Sequence, residues 1–106
     1  MPKKAKGWSR KSKAVGYAVE RGAVKSYQNR GILAIRIPVY QQVGIFRSID
    51  YIVIEKGRIG QAKRRKKYLH KPERERIKSC RNQFPNSDLL CELCYRDYGL
   101  KFEVIN

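Results

Sequence analysis

The stretch from residue 45 to residue 63 limits the fold most sharply. Ile45, Phe46, Ile49, Ile52, Val53 and Ile54 make an apolar, β-branched run over residues 45–54. Glu55-Lys56-Gly57-Arg58 breaks it with turn residues, and a second strand-like run follows over 58–63, short and polar at its end. Two such runs about a short Gly-containing turn predict a hairpin. An earlier apolar run, residues 32–37, predicts another strand, and Pro38 ends it or marks its edge. Residues 38–44 read as a loop. Helical signals lie on both sides. Val15, Ala18, Val19, Ala23 and Tyr27 recur at helical spacing over residues 14–30, and Gly31 supplies a stop. Pro72 suits the opening of a second helix, with Glu73 and Glu75 in its first turn. Ile77, Cys80 and Phe84 give that helix a buried stripe, and Pro85 closes it. Residues 89–95 and 100–105 predict a last hairpin about Arg96-Asp97-Tyr98-Gly99. The order α-β-β-β-α-β-β, without internal repeat, predicts an α/β fold with a mixed sheet and helices against it.

Charge narrows the partners. The 106 residues carry a net charge of +16, a field that draws polyanions, and nucleic acid is the default partner. No apolar run approaches the length of a membrane span, no apolar segment follows the basic N-terminus as in a secretory signal, and no basic helix has a broad apolar face. Residues 1–13, with Lys3, Lys4, Lys6, Arg10, Lys11 and Lys13, read as a flexible basic arm ahead of a single domain over 14–106. Three cysteines at irregular spacing argue against a disulfide framework and fit a reducing compartment. The expected location is cytoplasmic, beside the nucleoid, or the host cytoplasm for a viral chain.

Acids are scarcer than their mean suggests. Residues 1–54 hold eleven Lys or Arg and only two acids, Glu20 and Asp50. A surface that holds phosphates avoids carboxylates unless they have a task, and metal binding is one. Asp50 lies on one strand of the predicted hairpin, and Gln61 and Lys63 on the next. Strand side chains alternate, so Gln61 and Lys63 share a face one pleat apart, and suitable pairing brings Asp50 beside them. A divalent metal on carboxylates lowers the pKa of bound water and neutralises charge growing on a phosphate. A neighbouring lysine orients the water or steadies the transition state.

The run Asp50 … Gln61-Ala-Lys63 resembles the PD-(D/E)xK nuclease motif, with Ile49 in place of its proline and Gln61 in place of its acid. Gly16-Tyr-Ala-Val-Glu20-Arg21, then Gly31, then Ala34-Ile-Arg36-Ile-Pro38, is similar to the first helix and strand of archaeal Holliday-junction resolvases. The likeness runs over about residues 14–105. It implies a restriction-endonuclease-like fold and a Mg²⁺-dependent endonuclease, with Mn²⁺ able to substitute, acting on branched DNA as a homodimer. Glu20, Asp50 and Gln61, with the backbone carbonyl of Ala62, would then hold the metal, and Lys63 would assist the water or the transition state. The exposed parts of the 89–95 strand or the second helix would supply the dimer contact.

Rival readings stay open beside it. Glu20 could serve only to pair with Arg21 or Lys25, Asp50 could be a surface turn acid, Gln61 could be a plain strand residue, and Lys63 could be only a phosphate clamp. The chain would then be a nucleic-acid-binding protein without activity. Within enzymes, a nicking, repair or homing-type nuclease on duplex or flapped DNA is the alternative. The basic loop over 63–71, including Arg64, Arg65, Lys66 and Lys67, follows the proposed catalytic strand and suits backbone phosphates, as do Lys11, Lys13, Arg21 and Arg36. No base-reading helix or stacking platform stands out, so recognition by shape and backbone is expected. Cys91-x-x-Cys94 with Cys80 and His70 invites a zinc reading. Residues three apart on a strand face opposite sides, however, and packing accounts for the cysteines.

Overall fold

The computed structural model describes residues 17–105. The basic arm, with Lys11 and Lys13, and the first predicted helical residues lie outside them. A helix, α1, runs from residue 17 to residue 28. Gly31 ends it in a left-handed conformation (φ 75°), and the Ile32 N–H turns back onto the Tyr27 carbonyl at 3.0 Å. Five strands follow: β1 (Ala34–Arg36), β2 (Tyr51–Val53), β3 (Arg58–Lys63), β4 (Leu90–Arg96) and β5 (Leu100–Val104). A second helix, α2 (Lys71–Asn82), connects β3 to β4. The sheet keeps sequence order. β3 and β4 are parallel and every other neighbouring pair is antiparallel. The one parallel pair is the one with a helix between its strands, because a parallel return needs a long crossover. The element order is the expected one, a mixed α/β arrangement.

Two apolar clusters lie on opposite faces of the sheet. Val19, Ala23, Val24 and Tyr27 of α1 pack with Ala34, Tyr51, Val53, Ala62 and Cys94. Ile77 and Cys80 of α2 pack with Ile59, Cys91, Leu93, Ile49 and Ile105. Strand alternation sorts them: Ala62 and Cys94 face α1, whereas Ile59, Cys91 and Leu93 face α2. Cys91 and Cys94 therefore point into different layers. All three cysteines are free and buried. Burial alone lifts the Cys80 thiol, burial foremost lifts that of Cys91, and burial pushes Cys94 up to about 12.

The α1 layer also buries a carboxylate. Tyr27 and Tyr51 donate their hydroxyls to the two oxygens of Glu92, each at 2.6 Å, and Arg58 completes the set from 3.0 Å. A buried charge is tolerated only when paired and hydrogen-bonded, as this one is.

Two local expectations are corrected. The strand expected over 45–54 shrinks to Tyr51–Val53. Gly44 takes a positive φ of 59°, residues Gly44–Phe46 form a 3-10 turn, and the Ile49 N–H bonds Phe46 instead of a strand. The apolar residues there pack from a turn, and apolar content alone does not separate the two. Phe84 does not join the buried stripe. The helix stops at Asn82, the Phe84–Ser87 turn takes over, and the ring is left exposed. β4, whose exposed parts were expected with the second helix as alternatives for a dimer contact, is internal to the sheet, with Cys91, Glu92, Leu93 and Cys94 buried and Leu90 exposed. It has no edge to offer.

No helix of the described residues is long and apolar enough to cross a membrane.

Candidate active site at one end of the sheet

The register of the hairpin decides what meets what. Tyr51 opposes Gly60 and Ile52 opposes Ile59, and Asp50 lies one residue before β2, where this pairing ends. Its own N–H bonds the Gly60 carbonyl at 2.8 Å. Beyond that point β2 has ended, and the Ala62 N–H, left without a strand partner on this side, donates to Asp50 Oδ2 at 2.8 Å. In a strand the N–H and C=O of one residue point the same way, so the Ala62 carbonyl faces the same gap. Asp50 and the Ala62 backbone thus meet where β2 stops and β3 continues, and Gln61 is the residue of β3 just before Ala62.

Glu20 comes from α1 and is 4% exposed. It pairs with Arg36 at the end of β1, at 3.1 Å, not with Arg21 or Lys25. Burial raises its carboxyl against the pull of Arg36. Lys63 ends β3 and bonds Glu73 of α2 at 2.6 Å. Glu73 was legible only as a helix-start acid, because nothing local says that the crossover returns the first turn of α2 over the end of β3.

Asp50 carries the clearest electrostatic mark. Burial pushes its carboxyl up to about 7, and the like charges of Glu20 and Glu73 add to this. The Ala62 N–H and the Lys63 ammonium pull the other way. A carboxylate held among other carboxylates in a poorly solvated corner lacks positive charge. Gln61 shows a matching deficiency: it is 6% exposed, and its Oε1 is buried with no hydrogen-bond partner. An unmet buried acceptor is costly, and a cation would satisfy it.

Among the described residues no three His, Cys, Asp or Glu side chains group so as to hold a metal by themselves. The oxygen set available is mixed: the carboxylates of Asp50 and Glu20, the Gln61 amide and the Ala62 carbonyl. Magnesium takes oxygen ligands and keeps several waters, so one or two protein carboxylates suffice. Two carboxylates with an unmet amide oxygen are the donor types such an ion takes.

The cations predicted to meet phosphate are spread around this end. Arg21 is exposed and lines a shallow groove with Lys25, Ile35 and Arg36 between α1 and β1. Arg64 donates to the Tyr68 hydroxyl at 3.1 Å and lies over its ring, and Lys67 is over the same ring at 5.8 Å. Lys66 is tied to Glu103 at 2.8 Å, which leaves it a weaker candidate for phosphate. Arg65 is exposed beside Arg64 and Arg96. No protein-family model matches the chain, and no curated protein or solved structure is similar to it.

Proposed function

We propose that this chain is a metal-dependent DNA endonuclease of restriction-endonuclease-like fold, acting on branched DNA in the manner of a Holliday-junction resolvase. The observation that carries the reading is the setting of Asp50: at the end of β2 against Gly60, hydrogen-bonded to the Ala62 N–H, its pKa raised by burial and by the like charges of Glu20 and Glu73, with basic residues around that end of the sheet. Asp50, Glu20, the Gln61 amide and the Ala62 carbonyl would hold Mg²⁺ or Mn²⁺. When bound, the ion supplies an acidified water and charge neutralisation at the phosphate. Arg36 holds Glu20 in place. Lys63 lies one pleat beyond Gln61, where its ammonium reaches a phosphate oxygen or orients the water. Glu73 positions that ammonium and adds a third carboxylate, beside those of Asp50 and Glu20, where Gln61 is neutral.

The test is a substrate panel with Mg²⁺: a four-way junction, a flap and a duplex of equal length. Cleavage of the junction in preference to the duplex is expected. Preference for flap or duplex would transfer the reading to a nicking or repair-type nuclease. Binding of all three without cleavage would sink the enzyme reading. That outcome belongs to the rival reading of an inactive nucleic-acid-binding protein, which the neutral Gln61 and the engaged Lys63 favour.

Glu73→Gln separates positioning from mere packing. It removes a like charge from Asp50, so the acid limb of the cleavage profile is expected to move to lower pH. Maximal rate is expected to fall about tenfold as Lys63 loses its anchor. A profile left in place would argue against the role.

Homodimerisation belongs to the same reading, and two cuts across a junction need two sites. Phe46, Ile52, Ile59, Phe84 and Leu89 line an apolar groove of about 320 Å³ beside α2. Exposed apolar grooves of this kind mark interaction surfaces. Phe84→Asp is expected to convert a dimer to a monomer in light scattering and to abolish paired cuts. A wild-type monomer would remove the dimer from the proposal.

A further inference from the structure

A concavity lined by arginines lies one residue past the proposed site. Arg64 follows Lys63 at the end of β3, and Arg96 ends β4, the parallel partner; the Arg96 N–H bonds the Arg64 carbonyl at 3.3 Å. With Arg65, Asp97 and Tyr98 they enclose a cleft of about 590 Å³. Among the described residues the ion pairs fall on Arg36, Arg58, Lys63 and Lys66, so none of these three guanidiniums is taken by a carboxylate. Three planar, always-charged forks against the single acid Asp97 suit a phosphodiester. Arg64 is already oriented, bonded to the Tyr68 hydroxyl and laid over its ring.

Tyr98 adds a second, independent feature. Its side chain is fully exposed. It is also the one non-glycine residue with positive φ among those described, at 54°. An aromatic residue there is conformationally unfavourable compared with Gly or Asn, and it gains nothing from burial. A fully exposed ring at the lip of an arginine cleft can stack an unstacked base. A paired duplex offers no such base; an unpaired strand at a branch does.

We infer that the cleft of Arg64, Arg65, Arg96 and Tyr98 is a second DNA site, which binds a backbone phosphate of an unpaired strand and stacks its base on Tyr98. It rests on the DNA reading above and names the feature of branched DNA that the protein would recognise. It does not depend on cleavage, so it is tested without metal.

The experiment is fluorescence anisotropy in EDTA. The probes are a duplex with a single-stranded thymidine overhang and a blunt duplex of the same length. Tyr98→Asn keeps a residue that accepts the left-handed backbone and removes the ring; Tyr98→Phe keeps the ring. Lys56→Ala, in the turn between β2 and β3 at the opposite end of the sheet, is the control. Tyr98→Asn is expected to weaken overhang binding about tenfold and to leave blunt-duplex binding within twofold, with Tyr98→Phe like wild type. Arg96→Ala is expected to lower the salt slope for the overhang by about 0.7. Overhang affinity unchanged by Tyr98→Asn, or blunt duplex weakened equally, overturns the second site and leaves the nuclease reading standing. Wild type that binds neither probe overturns both. Tighter binding of an RNA overhang than a DNA overhang overturns the assignment to DNA.

Discussion

Asp50→Asn is expected to abolish metal-dependent cleavage, a loss of at least about a thousandfold, while making the metal-free protein more stable. Both effects have one cause. The wild-type carboxyl titrates at about 7 in the folded chain, against an ordinary value of 3.8. The folded state therefore binds that proton more tightly than the unfolded one. This contribution to stability is complete below the ordinary value and is lost as pH rises through about 7. Asparagine keeps an acceptor for the Ala62 N–H and drops the charge that Glu20 and Glu73 oppose. The gain should be near zero at pH 4 and reach about 1–2 kcal/mol at pH 8, discounted because Asp50 is partly exposed to solvent. Urea unfolding in EDTA at the two pH values measures it. Saturating Mg²⁺ should stabilise the wild type and not the variant. Cleavage by wild type should rise with pH toward 7, because the metal must displace the Asp50 proton. A variant that cleaves like wild type would remove Asp50 from the site. One that is no more stable at pH 8 would remove the electrostatic account of it.

Gly60→Ala should be the most damaging small change to the fold. A Cβ on Gly60 would lie 2.1 Å from Tyr51 Cζ and 2.3–2.4 Å from the neighbouring ring atoms. The ring cannot swing aside easily. Tyr51 is 0% exposed, and its hydroxyl is held at 2.6 Å by Glu92, itself bonded to Tyr27 and Arg58. Relief would need β2 and β3 to part, at a cost of about 3–5 kcal/mol in urea unfolding. A loss below about 1 kcal/mol would mean that the ring has room to move. The functional consequence follows from register. Gly60 accepts the Asp50 N–H and precedes Gln61, so any variant that does fold should also bind Mg²⁺ more weakly.

The hairpin that carries Asp50 and Gln61 was legible because its signals are local. Turn residues at 55–58 set the pairing, and alternation puts Gln61 and Lys63 on one face. The same alternation separates Cys91 from Cys94. Phe84 and residues 45–50 were not legible, because an apolar residue in a tight turn and one in a helix or strand have the same composition. Glu73 was read correctly as a first-turn acid, but its partner was not legible. Its position at a helix start is a sufficient local explanation, and its pairing with Lys63 depends on the α2 crossover. The lack of a stacking platform was likewise a local judgement. Tyr98 reads as an ordinary turn residue until the cleft of arginines is seen around it.

Periodicity, turn chemistry and charge were enough for the element order and for a strongly basic chain, since these depend on composition and on near neighbours along the chain. Tertiary structure alone decided which charges meet. Glu20 is bound to Arg36, Lys63 to Glu73 and Glu92 to two tyrosines, across sequence separations of 16, 10, 65 and 41 residues. Electrostatic energy depends on distance and burial, and neither is written in sequence order. The hairpin from which the chain was first read thus holds the candidate site, but the charge that surrounds Asp50 there comes from both helices.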